Sequence, residues 1–239
     1  SGLAATPRWP GTVRPVHPAP TAMTDIASET ALIHLVDDDA AMRRSLVYLL
    51  DSVGWQAVAH ESAKAFLAAY QPGNVACLVL DVRMPDMSGL ELQRELGGHD
   101  CNLPVVFITG HAEVGMAVDA MKAGAFDFIE KPFSDQRLLD VIAAAIRESR
   151  RRLHAVQRQQ QAGTRLAHLS QRELEVARKV ALGLPNKVVA RELAISEKTV
   201  QAHRRNVMDK AGVSSAAELT RMLMIADPGF AAEPEASKS

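Results

Sequence analysis

Three carboxylates stand side by side in "IHLVDDDAAMRRSL", residues 33–46, where Asp37, Asp38 and Asp39 directly follow an apolar run. Like charges this close raise one another's pKa unless something positive intervenes. A further carboxylate, Asp81, closes the apolar run of "CLVLDVRMPDMSG"; Thr109 closes "VVFIT", and Lys131 follows "FDFIE". Hard oxygen donors of this kind suit Mg²⁺, which keeps several waters and binds one or two carboxylates plus phosphate oxygens. A hydroxyl and an ammonium supply what the equatorial oxygens of a phosphoryl group require. An aspartate can also accept a phosphoryl group covalently. The residue types point to phosphoryl transfer onto Asp81 with Mg²⁺ as the positive partner, and Asp39 is expected to cap the helix that follows.

Such chemistry needs these groups at one place, and the patterning of residues 31–150 supplies it. Apolar runs at 32–36, 56–60, 76–80, 104–108 and 125–129 read as strands. Segments 40–53, 62–70, 88–96, 112–124 and 134–146 carry the 3.6-residue periodicity of helices, and Ser88 with Glu91 makes a capping-box spacing. Strict alternation with continuous apolar strands implies a parallel sheet covered on both faces. Five units in this length fit the flavodoxin-like, doubly wound order 2-1-3-4-5, whose ligand crevice lies between strands 1 and 3. Asp37, Asp38 and Asp81 would then converge there, with Thr109 and Lys131 at the ends of strands 4 and 5.

Composition narrows the class further. The chain has 239 residues and a net charge of −1. No apolar run approaches the roughly 20 residues that span a bilayer. Two cysteines, Cys77 and Cys101, give no metal-site or disulfide spacing, so the expected compartment is the cytoplasm. Five prolines lie in the first 22 residues; residues 1–30 read as a disordered extension, with Met23 a candidate start, and 227–239 as a disordered tail. His34 and His60 lie in strand-like runs and are expected simply to pack. Residues 31–146 hold 16 acidic against 8 basic side chains, whereas 147–226 hold 7 against 16. That asymmetry points the second half toward an anionic partner.

In the acidic half, the Asp-Asp pair, "LDVRMPDMSG", "ITGH" and "DFIEKPF" resemble the receiver domain of bacterial two-component response regulators over residues 31–150. The resemblance implies that Asp81 is the phosphoacceptor, that Asp38 ligates Mg²⁺ directly and Asp37 through water, and that the backbone carbonyl of Arg83 is another ligand. It implies that Thr109 and Lys131 bind the phosphoryl group, that Phe128 turns inward with Thr109 as a switch, and that the Lys131–Pro132 peptide is cis. A phosphatase of the haloacid-dehalogenase type would need a second Asp two residues after the first, where this chain has Arg83.

The basic half opens with "RESRRRLHAVQRQQQAGTRLAH", 147–168, six Arg against one Glu. It reads as a linker helix over 151–165 that continues the last receiver helix and dissolves near Gly163. Ser170 and Glu173 repeat the capping-box spacing, "GLP" at 183–185 breaks a helix, and Asn186 is a candidate cap for the next. A short turn at 194–196 leads to Ser196, a natural N-cap for "EKTVQAHRRNVMDKA". Two short helices and a tight turn match a helix-turn-helix, with Ala190 small enough for close approach. Val200 and Val207 face the core, whereas Lys198, Gln201, Ala202, Arg204 and Arg205 project elsewhere. In 215–226, Leu219, Met222 and Leu223 read first as core and second as a dimer face.

Residues 166–226 resemble the LuxR/FixJ/NarL-type DNA-binding domain. The resemblance places Gln201, Ala202 and Arg205 at base edges and Asn186, Lys187, Lys198 and Thr199 near phosphates; Ala194 stands where relatives often have Gly. Arg suits guanine and Gln adenine. The whole chain then reads as a transcription regulator, not an enzyme in the turnover sense, which a sensor histidine kinase phosphorylates and which binds promoter DNA, pairs through helix 4 and strand 5, and has RNA polymerase as a further partner. A small-molecule-sensing regulator would need an aromatic-lined pocket in place of the acidic site, and a stand-alone phosphoryl relay would lack the basic helix-turn-helix.

Overall fold

A computed structural model describes residues 31–97, 103–110 and 114–230. The expectations for 1–30 and 231–239, and Cys101, lie outside the described residues. Five strands, β1 (Leu32–Val36), β2 (Gln56–His60), β3 (Ala76–Asp81), β4 (Val105–Thr109) and β5 (Asp127–Glu130), form one parallel sheet in the order β2-β1-β3-β4-β5. Helices α1 (Ala40–Ser52), α2 (Ala63–Ala69), α3 (Gly89–Gly97), α4 (Val114–Lys122) and α5 (Asp135–Ala167) connect and cover it. Leu46 and Leu50 of α1 and Leu138, Ile142 and Ala145 of α5 pack on one face; Phe66 of α2, Leu92 of α3 and Ala120 of α4 pack on the other. β4 is buried along its whole length, the signature of a strand covered on both sides.

Register fixes the crevice. Val36 pairs with Leu80 across β1 and β3, so the next residues, Asp37 and Asp81, emerge side by side. Asp39 accepts the backbone N–H groups of Ala41 and Met42 through Oδ1, capping α1 as expected. Ser88 and Glu91 bond reciprocally and start α3 at the end of the loop from β3.

His34 and His60 do pack, and they also bond to each other. Their Nδ1 and Nε2 atoms lie 3.1 Å apart, and Phe66 meets both rings edge-on. Burial, with the neighbouring His60 second, pushes His34 down to about 4 from its ordinary 6.5; burial lowers His60 as well. Unfolded imidazoles take protons near 6.5 whereas the native pair resists them, so the pair's stabilisation is complete above that pH and is lost as pH falls toward about 4. In urea unfolding, the wild type is expected to lose more stability between about pH 7 and about pH 5 than a His34→Gln/His60→Gln variant. Parallel pH profiles would refute the linkage.

The second half is all helical: α6 (Gln171–Ala181), α7 (Asn186–Glu192), α8 (Glu197–Ala211) and α9 (Ala216–Ala226) surround Val176, Val180, Val189, Val200, Val207 and Leu219. Ser170 and Ser196 cap α6 and α8, and the break at 183–185 is present, with Gly183 at φ 77°. Ala194 adopts φ 52° in the helix-turn-helix turn, a left-handed conformation that costs a non-glycine residue roughly 1–2 kcal/mol.

Three expectations need correction. The helix does not dissolve near Gly163: α5 runs unbroken to Ala167. A glycine there costs about 1 kcal/mol relative to alanine, and contact of Ala162 and Leu166 with Met222 and Ile225 of α9 opposes that cost. Residues 227–230 do not begin a disordered tail, because Phe230 is buried in the helical core and its N–H bonds to the Asp227 carbonyl. Asn186 does not cap α7; Pro185 holds the N-cap position without a side-chain bond, and the Asn186 Oδ1 accepts from Arg204 at 3.0 Å.

Candidate functional site

At the carboxyl ends of β1 and β3, oxygen atoms of Asp37, Asp38 and Asp81 all lie within 4.8 Å of one another. Asp37 is buried, Asp81 half-buried and Asp38 exposed. Lys131, which follows β5, reaches over the crevice: its Nζ is 3.3 Å from Asp37 Oδ2 and 3.6 Å from Asp81 Oδ1. The other Asp37 oxygen accepts the Asp39 N–H at 2.7 Å, and Arg43 donates to the Asp37 carbonyl at 2.7 Å. Desolvation first, then repulsion from Asp37 and Asp38, raises the Asp81 pKa against the opposing pull of Lys131.

Three carboxylates against one ammonium leave an excess of negative charge in a partly desolvated crevice. Clustered hard oxygens with one exposed edge are what a small divalent cation such as Mg²⁺ binds. The residues present therefore fit the metal that the resemblance implies.

Thr109, at the end of β4, is buried, and its carbonyl accepts the Lys131 N–H at 2.7 Å. The Lys131–Pro132 peptide is cis. Phe128 sits opposite Phe107 in the β4–β5 register, half-buried with ring centroids 6.2 Å apart. Arg83 lies in the loop beyond Asp81, with its side chain exposed.

One residue that sequence reasoning passed over supports the crevice from behind. A Cβ placed on Gly89 would come within 2.4 Å of the Asp81 carbonyl oxygen and 3.0 Å of Leu80 and Phe107. The Gly89 N–H donates to the Val82 carbonyl, so the first turn of α3 closes directly on the strand that carries Asp81.

The second candidate site lies on α8. Lys198, Thr199, Gln201, Ala202 and Arg205 are exposed along one stripe, opposite buried Val200, Val207 and Ala211. Arg204 is half-buried and tied to Asn186. Several other cations of this half are spent internally: Lys179 on Glu192, Arg172 on Glu175 and the Leu193 carbonyl, and Lys210 on Glu173. Lys210 and Ser170 together hold the Glu173 carboxyl well below its usual range. Lys187 at the start of α7 is exposed as well, so α7 and α8 together present cations to an anionic partner.

Comparison with known proteins matches both halves. Residues 33–143 match the response regulator receiver domain, and 167–223 match the bacterial regulatory proteins of the luxR family. The transcriptional regulatory protein FixJ of Azorhizobium caulinodans is 43% identical over 83% of this chain and 94% of its own. The response regulator protein TodT of Pseudomonas putida is 39% identical, over 90% and 95% respectively. Among solved structures, the response regulator StyR aligns with a TM-score of 0.74 at 41% identity, covering 81% of this chain and 98% of that one. Full-length FixJ from B. japonicum aligns at 0.51 with 43% identity, covering 82% and 96%.

Proposed function

This chain belongs to the two-component response regulators that join a receiver domain to a LuxR-type DNA-binding domain, and we propose that phosphorylation of Asp81 by a sensor histidine kinase controls its hold on promoter DNA. The observation that carries the proposal is the convergence of Asp37, Asp38 and Asp81 beneath the Lys131 ammonium. Transfer would break the bond between phosphorus and the kinase imidazole nitrogen as a bond to an Asp81 oxygen forms. The Lys131 ammonium and the Thr109 hydroxyl, at neighbouring strand ends, would stabilise charge on the equatorial oxygens. Mg²⁺, held by Asp38 and Asp81, by Asp37 through water and by the Arg83 carbonyl, would neutralise charge on those same oxygens. The chain acts on itself and hydrolyses its own acyl phosphate slowly, so it is not a turnover enzyme. Among the described residues no helix is long and apolar enough to cross a membrane, and the cytoplasm is the compartment where kinase and promoter would be met.

One helix-turn-helix reads few base pairs, so specificity requires two copies spaced by about one DNA turn. Phosphate at Asp81 would draw in Thr109, make room for Phe128 and reshape the α4–β5 face into a dimer surface, with RNA polymerase recruited at the promoter. A ligand biases an equilibrium only by its differential affinity for the two states, so beryllofluoride with Mg²⁺ is expected to raise both mass in sedimentation and operator affinity of the full chain. The second reading is release of a DNA-binding domain docked on the receiver, with little receiver pairing. Affinity gained with no gain in mass would select that second reading, and no gain in either would sink both.

Base reading has its own test. Arg205→Ala is expected to cost roughly 1–3 kcal/mol on the specific site and to relax preference at one position. Lys187→Ala should weaken all sequences about equally and flatten the salt dependence. If the two variants behaved alike in binding titrations, Arg205 would be a phosphate contact.

A further inference from the structure

A large groove lies at the free edge of the sheet, its lining beginning at Ala40 and Arg43 beside the acidic crevice. It has a volume of about 910 Å³, runs between α1 and β2, and is lined by Val47, Tyr48, Trp55, Ala57, Val58 and Ala59. Tyr48 is 78% exposed, the highest figure for any large hydrophobic residue described, and Val58 is 40% exposed. The strand beside it reads Gln-Ala-Val-Ala-His, with neither the charged residues nor the proline that usually protect an edge.

Charges on the same helix specify what would cover it. Arg44 and Asp51 are exposed, line the groove, and stand at i−4 and i+3 from Tyr48. Seven residues put them two turns apart, about 10 Å along the axis, too far to pair with each other. Neither side chain has an ion-pair partner among the described residues, whereas the neighbouring Arg43 is engaged by the Asp37 carbonyl. Their midpoint falls between Val47 and Tyr48. An antiparallel copy of α1 laid across that midpoint would set each Arg44 against the other chain's Asp51 while the tyrosines filled the apolar centre. A surface whose charges invert about its own centre is the pattern an isologous two-fold contact requires.

We propose that the α1–β2 edge is a self-complementary interface through which two copies of this chain pair about a two-fold axis between Val47 and Tyr48. The contact is distinct from the α4–β5 face and owes nothing to phosphate, so it forms in the resting protein. One helix and one short strand per copy offer less area than a standard interface of about 1,600 Å², which places the pairing in the weak, transient class.

Sedimentation of the full chain without beryllofluoride, over a range of concentrations, tests this. A monomer–dimer equilibrium is expected, weakened by Tyr48→Ala. Each substitution counts twice in a two-fold pair, so Arg44→Asp, which sets two like charges against each other at both ends, should weaken association about tenfold or more. Adding Asp51→Arg should restore it to near the wild-type value, a recovery that a merely misfolded variant would not give. A monomer at every concentration, a dimer indifferent to Arg44→Asp, or a double variant no better than the single would each overturn the proposal.

Discussion

Asp81→Asn is expected to abolish labelling by acetyl phosphate in Mg²⁺, leaving only background incorporation. Three carboxylates share the crevice, and the geometry separates them. Both Asp37 oxygens are committed, one to the Asp39 N–H and one to Lys131. Asp38 is exposed, out in the first turn beyond the strand end. Asp81 is half-buried and reaches the same ammonium at 3.6 Å, so it is both accessible and faced by a cation that would stay to meet the incoming oxygens. Its pKa is raised by burial and by the other two carboxylates, which marks the cost of its charge in the absence of a second cation. Asp38→Asn should therefore leave the acceptor in place while raising the Mg²⁺ needed for labelling by about tenfold or more. Undiminished labelling of the Asp81 variant would put the acceptor elsewhere.

The second large effect is expected at a residue with no side chain. Gly89→Ala would drive a methyl group to 2.4 Å from the Asp81 carbonyl oxygen, and backbone cannot rotate out of the way as a flexible side chain could. Either α3 lifts from the sheet or β3 is displaced at the residue that carries the chemistry. Overpacking of this kind typically costs about 1–3 kcal/mol, and more when the clash is with main chain; about 3 kcal/mol in urea unfolding is the expected loss, with weakened Mg²⁺ binding. Gly97→Ala, near the other end of α3, meets nothing within 4 Å and serves as control. It should be neutral or stabilising by up to about 1 kcal/mol. Equal stability of the two variants would show that the contact behind Asp81 yields more readily than its geometry allows.

Much of the crevice was legible because strand ends were legible. Continuous apolar runs marked β1, β3 and β4, and alternation with helices dictated a parallel order that sets Asp37 beside Asp81. Lys131 was foreseen as a phosphoryl contact, but its bridging of Asp37 and Asp81 depends on where the β5 loop turns back, which no local pattern encodes. Gly89 was invisible for the same reason: its need for a hydrogen in place of Cβ comes from a strand eight residues earlier. Asn186 has the chemistry of a cap, and the competitor that won its oxygen, Arg204, lies 18 residues on. Beyond Ile146 the apolar stripe of α5 gives way to arginine and glutamine. Periodicity therefore fell silent where the helix continued, and the seat of Phe230 rests on a single aromatic after a proline.

The unbroken α5 has a mechanical meaning. Ile142 is anchored in the sheet and Ala162 against α9, 20 residues apart, which at about 100° per residue places the two seats nearly on opposite sides of the shaft. The helix is thus keyed at both ends, and its length sets a heading as well as a distance. One residue inserted between the keys would turn everything beyond it by about 100° while advancing it only about 1.5 Å; seven would bring it back to within about 20°. The spacer between receiver and reader is tolerant of whole double turns and intolerant of single residues, a rule of phase that composition alone would never disclose.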